Sequence, residues 1–176
     1  MSKKEKTMIT KLIAGACLFA LAALSASAQM STRAGATLKD ATGQTVGEVT
    51  LTEGAYGTLI RASLRGVPAG THAFHVHAVG VCEPPFTSAG GHYNPAGSNH
   101  GFMDQDGMHA GDLPNVHVPS SGELEFEVFA PRVRLDAALF DSDGASIVMH
   151  QEPDDYRSDP AGDAGPRIAC GVIEKG

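Results

Sequence analysis

Tryptophan is absent from this 176-residue chain, and three Tyr with seven Phe make up its whole aromatic content. Against that scarcity stand 21 Gly and 10 Pro, a load that leaves room for few long helices and suits short strands joined by structured loops. Cations are also short, with 13 Lys+Arg facing 20 Asp+Glu for a net charge of −7. Lacking a basic excess, the chain is no candidate for nucleic acid or an anionic membrane surface. With 42% hydrophobic and 19% charged residues the composition is that of an ordinary globular protein. The abundant residue is histidine, present eight times.

An apolar run long enough to cross a bilayer, about 20 residues, is missing too. The longest one, Leu12 to Leu24, has thirteen residues and follows Lys3, Lys4, Lys6 and Lys11. Ala26-Ser27-Ala28 then offers the small residues that a signal peptidase reads. Basic start, short apolar stretch and small-residue site predict a secretory signal over 1–28, cut after Ala28, and no stable membrane anchor. A lipid-modified Cys17 does not suit the pattern, because more apolar residues follow it. Residues 29–176 are then expected to form one domain, secreted or periplasmic, with no linker or repeat dividing it. Loss of four Lys and one Glu leaves 9 basic and 19 acidic residues, a net charge of −10.

Only three cysteines occur, and two, Cys82 and Cys170, lie beyond the signal. In an oxidising compartment an even pair reads as a disulfide; two soft metal ligands is the alternative, and neither has a near cysteine partner. Closing a loop of 88 positions would stabilise by roughly 4–5 kcal/mol at most in the chain-entropy model.

From Gly35 onward the pattern is one of strands. Val46 to Leu51 and Leu59 to Arg65 read as strands, the second with Ile60, Ala62 and Leu64 alternating with Arg61, Ser63 and Arg65. His72 to Val79 continues the habit, and Glu123 to Val128 alternates acid with apolar after the Ser121-Gly122 turn. Ile147 to Met149 and Ile168 to Ile173 complete an expected antiparallel sandwich or barrel. Two Gly/Pro/Asp-rich stretches, 80–112 and 151–167, interrupt this rhythm, and loops of that length are usually functional. Asp104-x-Asp106-Gly107 and Asp141-x-Asp143-Gly144 imitate the start of a calcium loop but lack its other ligands, and read as turns.

Six histidines fall within 76 positions: His75-x-His77, His92, His100, His109-x-x-Asp112 and His150. On a strand, i and i+2 share a face, so His75 and His77 project together, away from Phe74 and Val76. Adjacent imidazoles make half of a metal site, suited to Zn, Cu, Fe or Ni, and the carboxylate of Asp112 tilts the choice toward Zn. His72 and His117 share no such spacing and are read as hydrogen-bonded or surface residues.

Phe74-His75-Val76-His77, Ala89-Gly90-Gly91-His92-Tyr93-Asn94-Pro95, His109-Ala110-Gly111-Asp112-Leu113-Pro114-Asn115 and the closing Gly165-Pro166-Arg167-Ile168-Ala169-Cys170-Gly171-Val172-Ile173 resemble the copper/zinc superoxide dismutases. The likeness runs from about residue 33 to 175. It implies an all-β fold, an eight-stranded Greek-key barrel or sandwich with two long functional loops. Carried over by position, copper would bind His75, His77, His92 and His150, and zinc would bind His92, His100, His109 and Asp112. His92 would bridge the two metals. Asp154 matches the carboxylate that joins a copper ligand to a zinc ligand, Cys82–Cys170 the intrasubunit disulfide, and Arg167 the arginine beside copper. Catalytic roles would fall to Arg167 and His92, with superoxide as the substrate.

An open copper position with a guanidinium beside it suits a small anion such as superoxide. The alternative for Arg167 is an ion pair with Asp154, Asp155, Asp159 or Asp163. At a net charge near −10, any attraction of substrate must come from local cations. The Cys82-Glu83-Pro84-Pro85 and Asp155-Tyr156 pieces resemble the bacterial secreted branch, whose quaternary structure differs from the eukaryotic one; a homodimer is the protein partner left open. Residues 130–146 match the eukaryotic pattern little and are left unassigned. A non-enzymatic copper/zinc carrier on the same fold is the second reading. A zinc hydrolase is disfavoured, because four zinc ligands leave no open position.

Overall fold

The computed structural model describes residues 32–176, so the expected signal segment and Cys17 lie outside the described residues. Ten strands run in order: β1 (Arg33–Asp40), β2 (Thr45–Gly54), β3 (Gly57–Leu64), β4 (Gly70–His72), β5 (Phe74–His77), β6 (Val116–Val118), β7 (Leu124–Ala130), β8 (Ser146–His150), β9 (Arg167–Val172) and β10 (Glu174–Lys175). A single 3₁₀ turn, Thr87–Ala89, is the helical element among the described residues. No helix among them is long and apolar enough to cross a membrane.

The main sheet has the order β5-β8-β9-β1-β2-β3-β7, with β10 continuing the β9 edge along β1, and β4 pairs with β6 in a small second sheet. Every pairing is antiparallel. Chain neighbours and sheet neighbours differ at β3-β7, β5-β8 and β9-β1, which is the crossing pattern of a Greek key. The eight-stranded barrel architecture holds, with the long sheet curled into its wall.

Alternation decides which side of each strand is inside. Ile60, Ala62 and Leu64 of β3 are buried while Arg61 is exposed, and in β7 Glu125 and Glu127 are exposed while Phe126 and Val128 lean inward. In β1 the buried set is Ala34, Ala36 and Leu38. Two of those three are alanines, so the strand gives a weak hydrophobic signal and escapes a sequence reading, as do short β6 and β10.

Strands β5 and β8 are buried along their whole length, because both of their faces are covered. Phe74, Val76, Ile147 and Met149 face the main core. On the opposite face Val148 packs with Phe86, Ala89 and Cys170 in a second, smaller apolar cluster. That cluster ties the first long loop to the sheet, and the Cys82–Cys170 disulfide, with Cα atoms 5.6 Å apart, is formed beside it.

The expected continuous strand from His72 to Val79 is corrected. The chain changes partner at Ala73, whose N–H donates to Glu152 and whose carbonyl accepts from the His150 N–H, both at 2.9 Å. On one side of that break β4 pairs with β6; on the other β5 pairs with β8. The unassigned stretch after β7 closes one end of the barrel, burying Val133, Leu135, Leu139 and Ala145 in the main core. It is held there by Thr58 Oγ1 donating to the Val133 carbonyl at 2.8 Å and by Glu53 accepting from the Leu135 N–H at 2.5 Å. The two Asp-x-Asp-Gly segments are turns: Asp104 Oδ1 accepts the Asp106 N–H, and Asp141 Oδ1 accepts those of Asp143 and Gly144.

Replacing both Cys82 and Cys170 by Ser is expected to lower unfolding stability by roughly 2–5 kcal/mol. Denaturant unfolding of the metal-free double variant against the oxidised wild type measures it, and a loss below about 1 kcal/mol would contradict a constraint on a loop this long.

Candidate metal centre

Strand periodicity places His75 and His77 on the loop-facing side of β5, opposite Phe74 and Val76. Neighbouring β8 ends in His150, directly across from Arg167 of β9 after a register shift at Met149/His150. The first long loop folds back so that His92 forms an isolated bridge with His77. The same loop then delivers His100, His109 and Asp112, and the second long loop delivers Asp154. All eight of these acidic and imidazole side chains are buried.

Two four-membered donor groups result: His75, His77, His92 and His150 in one, and His92, His100, His109 and Asp112 in the other. Within each group the donor atoms lie within 4.8 Å of one another. His92 belongs to both, with its ring centroid 4.1 Å from that of His75 and 5.1 Å from that of His100.

Hydrogen bonds fix which nitrogen each ring presents. His75 Nε2–H donates to Asp154 Oδ2 at 2.9 Å, and His77 Nδ1–H donates to the Gly90 carbonyl at 3.0 Å. His150 Nδ1–H donates to the Gly165 carbonyl at 3.3 Å. The nitrogens left over are His75 Nδ1, His77 Nε2 and His150 Nε2, joined by His92 Nε2. On the other side Asp112 Oδ1 accepts from His92 Nδ1–H at 2.7 Å and His100 Nδ1–H at 3.0 Å, while His109 Nδ1 lies 3.3 Å from it without forming a hydrogen bond. Asp112 Oδ2 is meanwhile fixed by the N–H groups of Gly101 and His109.

The unspent donors fit a metal site. His75 Nδ1, His92 Nε2 and His109 Nδ1 are buried with no hydrogen-bond partner, a rare and costly condition. His77 Nε2 and His150 Nε2 face each other at 3.3 Å, two bare lone pairs once both Nδ1–H groups are committed. A cation in each group satisfies these atoms together, and an all-imidazole set beside a three-imidazole, one-carboxylate set fits copper beside zinc.

Asp154 links the two groups. Its Oδ2 accepts from His75 and its Oδ1 from His100 Nε2–H at 3.0 Å. Gly162 approaches so closely that an added Cβ would lie 1.9 Å from Asp154 Oδ1. Arg167 forms none of the ion pairs considered for it. Its two terminal nitrogens donate to the carbonyls of Phe86 at 2.5 Å and Gly90 at 2.6 Å. Gly90 thus holds both His77 and Arg167. His72 lies between the carbonyls of Pro68 and His150, and His117 meets Thr71 at the surface, so neither joins a donor group.

Asp159, an acid of the second long loop with no spacing relation to the histidines, also takes part. Its Oδ1 accepts the His100 N–H at 2.9 Å and lies 4.0 Å from His109 Nε2. A side chain acting on another residue's main chain leaves no spacing rule to find it by.

Burial governs the protonation of the centre. It pushes His75 down to about 4, against the pull of Asp154, and His150 down to about 3. His77 is likewise held well below its ordinary value by burial and by the charges of its neighbours. His100 goes the other way: burial lowers it, but hydrogen bonds to Asp112 and Asp154 prevail and raise it to about 10. Both aspartates are held below the usual carboxylate range, burial being outweighed chiefly by their bonds to His100 and a second imidazole.

A raised His100 stabilises the fold fully below about pH 6.5 and loses that effect as pH rises toward 10. Lowered His75 and His150 favour the fold above about pH 6.5, and stability falls as pH drops toward 4 and the unfolded chain takes up protons. The metal-free chain is therefore expected to be most stable near neutral pH and to weaken on both sides, as read by denaturant unfolding from pH 4 to 10. Replacing His100 by Gln should flatten the alkaline side alone.

The family model described as "Copper/zinc superoxide dismutase (SODC)" matches residues 45–173. A relative from Aquifex aeolicus, "Superoxide dismutase [Cu-Zn] 2", is 42% identical over 169 residues, covering 93% of this chain and 99% of its own. One from Caulobacter vibrioides, "Superoxide dismutase [Cu-Zn]", is 42% identical over 146 residues, with 79% of this chain and 84% of its own covered. Among solved structures, the chain is similar to a superoxide dismutase-like protein from Bacillus subtilis (TM-score 0.75, 34% identity, 78% of this chain and 96% of that one). It is also similar to the Cu/Zn superoxide dismutase from Brucella abortus (TM-score 0.69, 29% identity, 81% and 99%). With its donor groups, its disulfide and its barrel on that pattern, the chain belongs to the copper/zinc superoxide dismutase family.

Proposed function

We propose that copper is held by His75, His77, His92 and His150 and zinc by His92, His100, His109 and Asp112, in an enzyme that dismutates superoxide. The carrying observation is the pair of buried donor groups that share His92 and contain three ring nitrogens without partners. Two superoxide anions and two protons give one O₂ and one H₂O₂, one anion losing an electron and the other gaining it. Bound copper supplies the one-electron couple, and bound zinc a fixed charge that takes no part in redox change.

The protein's own residues position and protonate. Arg167 spends two N–H groups on the Phe86 and Gly90 carbonyls, which locks its guanidinium against β9. Its remaining N–H groups are free to bind a small anion next to the all-histidine group. The nearness of that charge is felt at His77 and His150, both of which it helps to keep neutral. His92 Nε2, buried between the groups, is placed to hold the proton that the reduced product needs. Asp154 and the Gly90 and Gly165 carbonyls fix the ring tautomers of His75, His77, His100 and His150. A carrier would have no need of a guanidinium locked in this position.

The formed disulfide and the bacterial relatives indicate a location outside the reducing cytoplasm. We take the finer address to be the periplasm or beyond, reached through a signal over 1–28, with 29–176 as the mature domain.

Dismutation by the purified chain, with copper and zinc counted in the same sample, tests the function. Rate is expected to scale with copper, and full occupancy without activity would overturn the reading. Arg167→Ala is expected to slow turnover about 10-fold or more with copper retained, the cost of one charge-assisted contact. His150→Ala should weaken copper and spare zinc in a chelator titration; equal loss of both metals would refute the division of ligands.

A further inference from the structure

A carboxylate can orient two imidazoles only if its own main chain is fixed, and Asp154 lies on a loop. One side chain holds it. Asn115 Nδ2–H donates to the Asp154 carbonyl at 2.9 Å, and Asn115 Oδ1 accepts the Asp154 N–H at 2.8 Å. The amide thereby satisfies both main-chain polar groups of Asp154, as a neighbouring strand would. Asn115 stands three residues after Asp112 and one before β6, on the segment that supplies the carboxylate of the second donor group.

Tyr156 completes the clamp. Its hydroxyl accepts the Asn115 N–H at 2.8 Å, and its own N–H donates to Asp154 Oδ1 at 2.6 Å. Its backbone is left-handed, φ 62°, and its ring stacks on Phe102 with centroids 5.1 Å apart. The second long loop is thus fastened to the first through one asparagine and one tyrosine.

We propose that Asn115, with Tyr156, is a positioning residue that sets both metal sites at once through Asp154. The inference rests on the reading of Asp154 as the link between the copper and zinc ligands. Asp154 keeps His75 and His100 in the tautomer that presents Nδ1 inward, so a displaced Asp154 weakens both groups together. Asparagine suits the position because, at this length, an amide both donates and accepts; aspartate only accepts.

The test is a double-mutant cycle read as copper and zinc affinity by chelator competition on the full chain. Asn115→Ala is expected to weaken each metal about 10-fold, the low end for the loss of an outer partner. Asp154→Ala should weaken both further, and adding Asn115→Ala to it should change nothing more. Asn115→Asp keeps the size and the acceptor but loses the donor; it should shift both affinities in the same direction, and it carries the cycle should the alanine variant fail to fold. Wild-type affinities in both Asn115 variants, or an Asn115 effect that persists without the Asp154 carboxylate, would overturn the proposal. Wild-type affinities in Asp154→Ala alone would overturn the reading beneath it.

Discussion

Buried nitrogen lone pairs set the terms for this protein. Six imidazoles and two carboxylates are withdrawn from water into one centre, yet their hydrogen bonds leave three ring nitrogens with nothing to bind and two more facing each other. Such a cluster is costly on its own and becomes favourable when cations take up the exposed lone pairs. Metal binding and the order of the two long loops are therefore linked, since both loops supply groups to the same cluster.

The barrel makes that cluster possible by giving β5 and β8 two covered faces. Phe74, Val76, Ile147 and Met149 anchor the strands in the main core, which frees His75, His77 and His150 to point the other way. The long loops must then roof that second face. They are held by separate devices: a small apolar cluster of Phe86, Ala89, Val148 and Cys170, the disulfide, and Arg167 bonded to two loop carbonyls. Arg167 thus has a structural partner set and a free edge, so the residue that orders the loop is also the one proposed to meet the substrate. Gly90 draws His77 and Arg167 into one arrangement, so imidazole and guanidinium cannot move independently.

Much of the centre was legible because its residues are chemically distinctive. The i,i+2 spacing of His75 and His77 put them on one face, and the remaining candidate ligands lay in motifs whose order matched a known family. Strands with strong alternation, such as β3 and β7, were equally readable. What stayed hidden in the sequence was main-chain geometry. The break at Ala73 depends on which strand each half meets, and β1 hides because Ala34 and Ala36 bury little area. Asp159 and Asn115 act on the main chains of His100 and Asp154, contacts that no residue pattern encodes.

By itself, then, the sequence determined which side chains could ligate metal, which strands carry them, and that one pair of cysteines was available to close a loop. Periodicity and residue chemistry are local properties and can be read along the chain. Which nitrogen each ring turns inward, and which carboxylate oxygen meets which imidazole, is set by the folded arrangement of loops and strands. That arrangement also decided that Arg167 is held by carbonyls and not by aspartates. Those choices depend on hydrogen bonds between residues 12 to 81 positions apart, and such distances are fixed by how loops pack on strands.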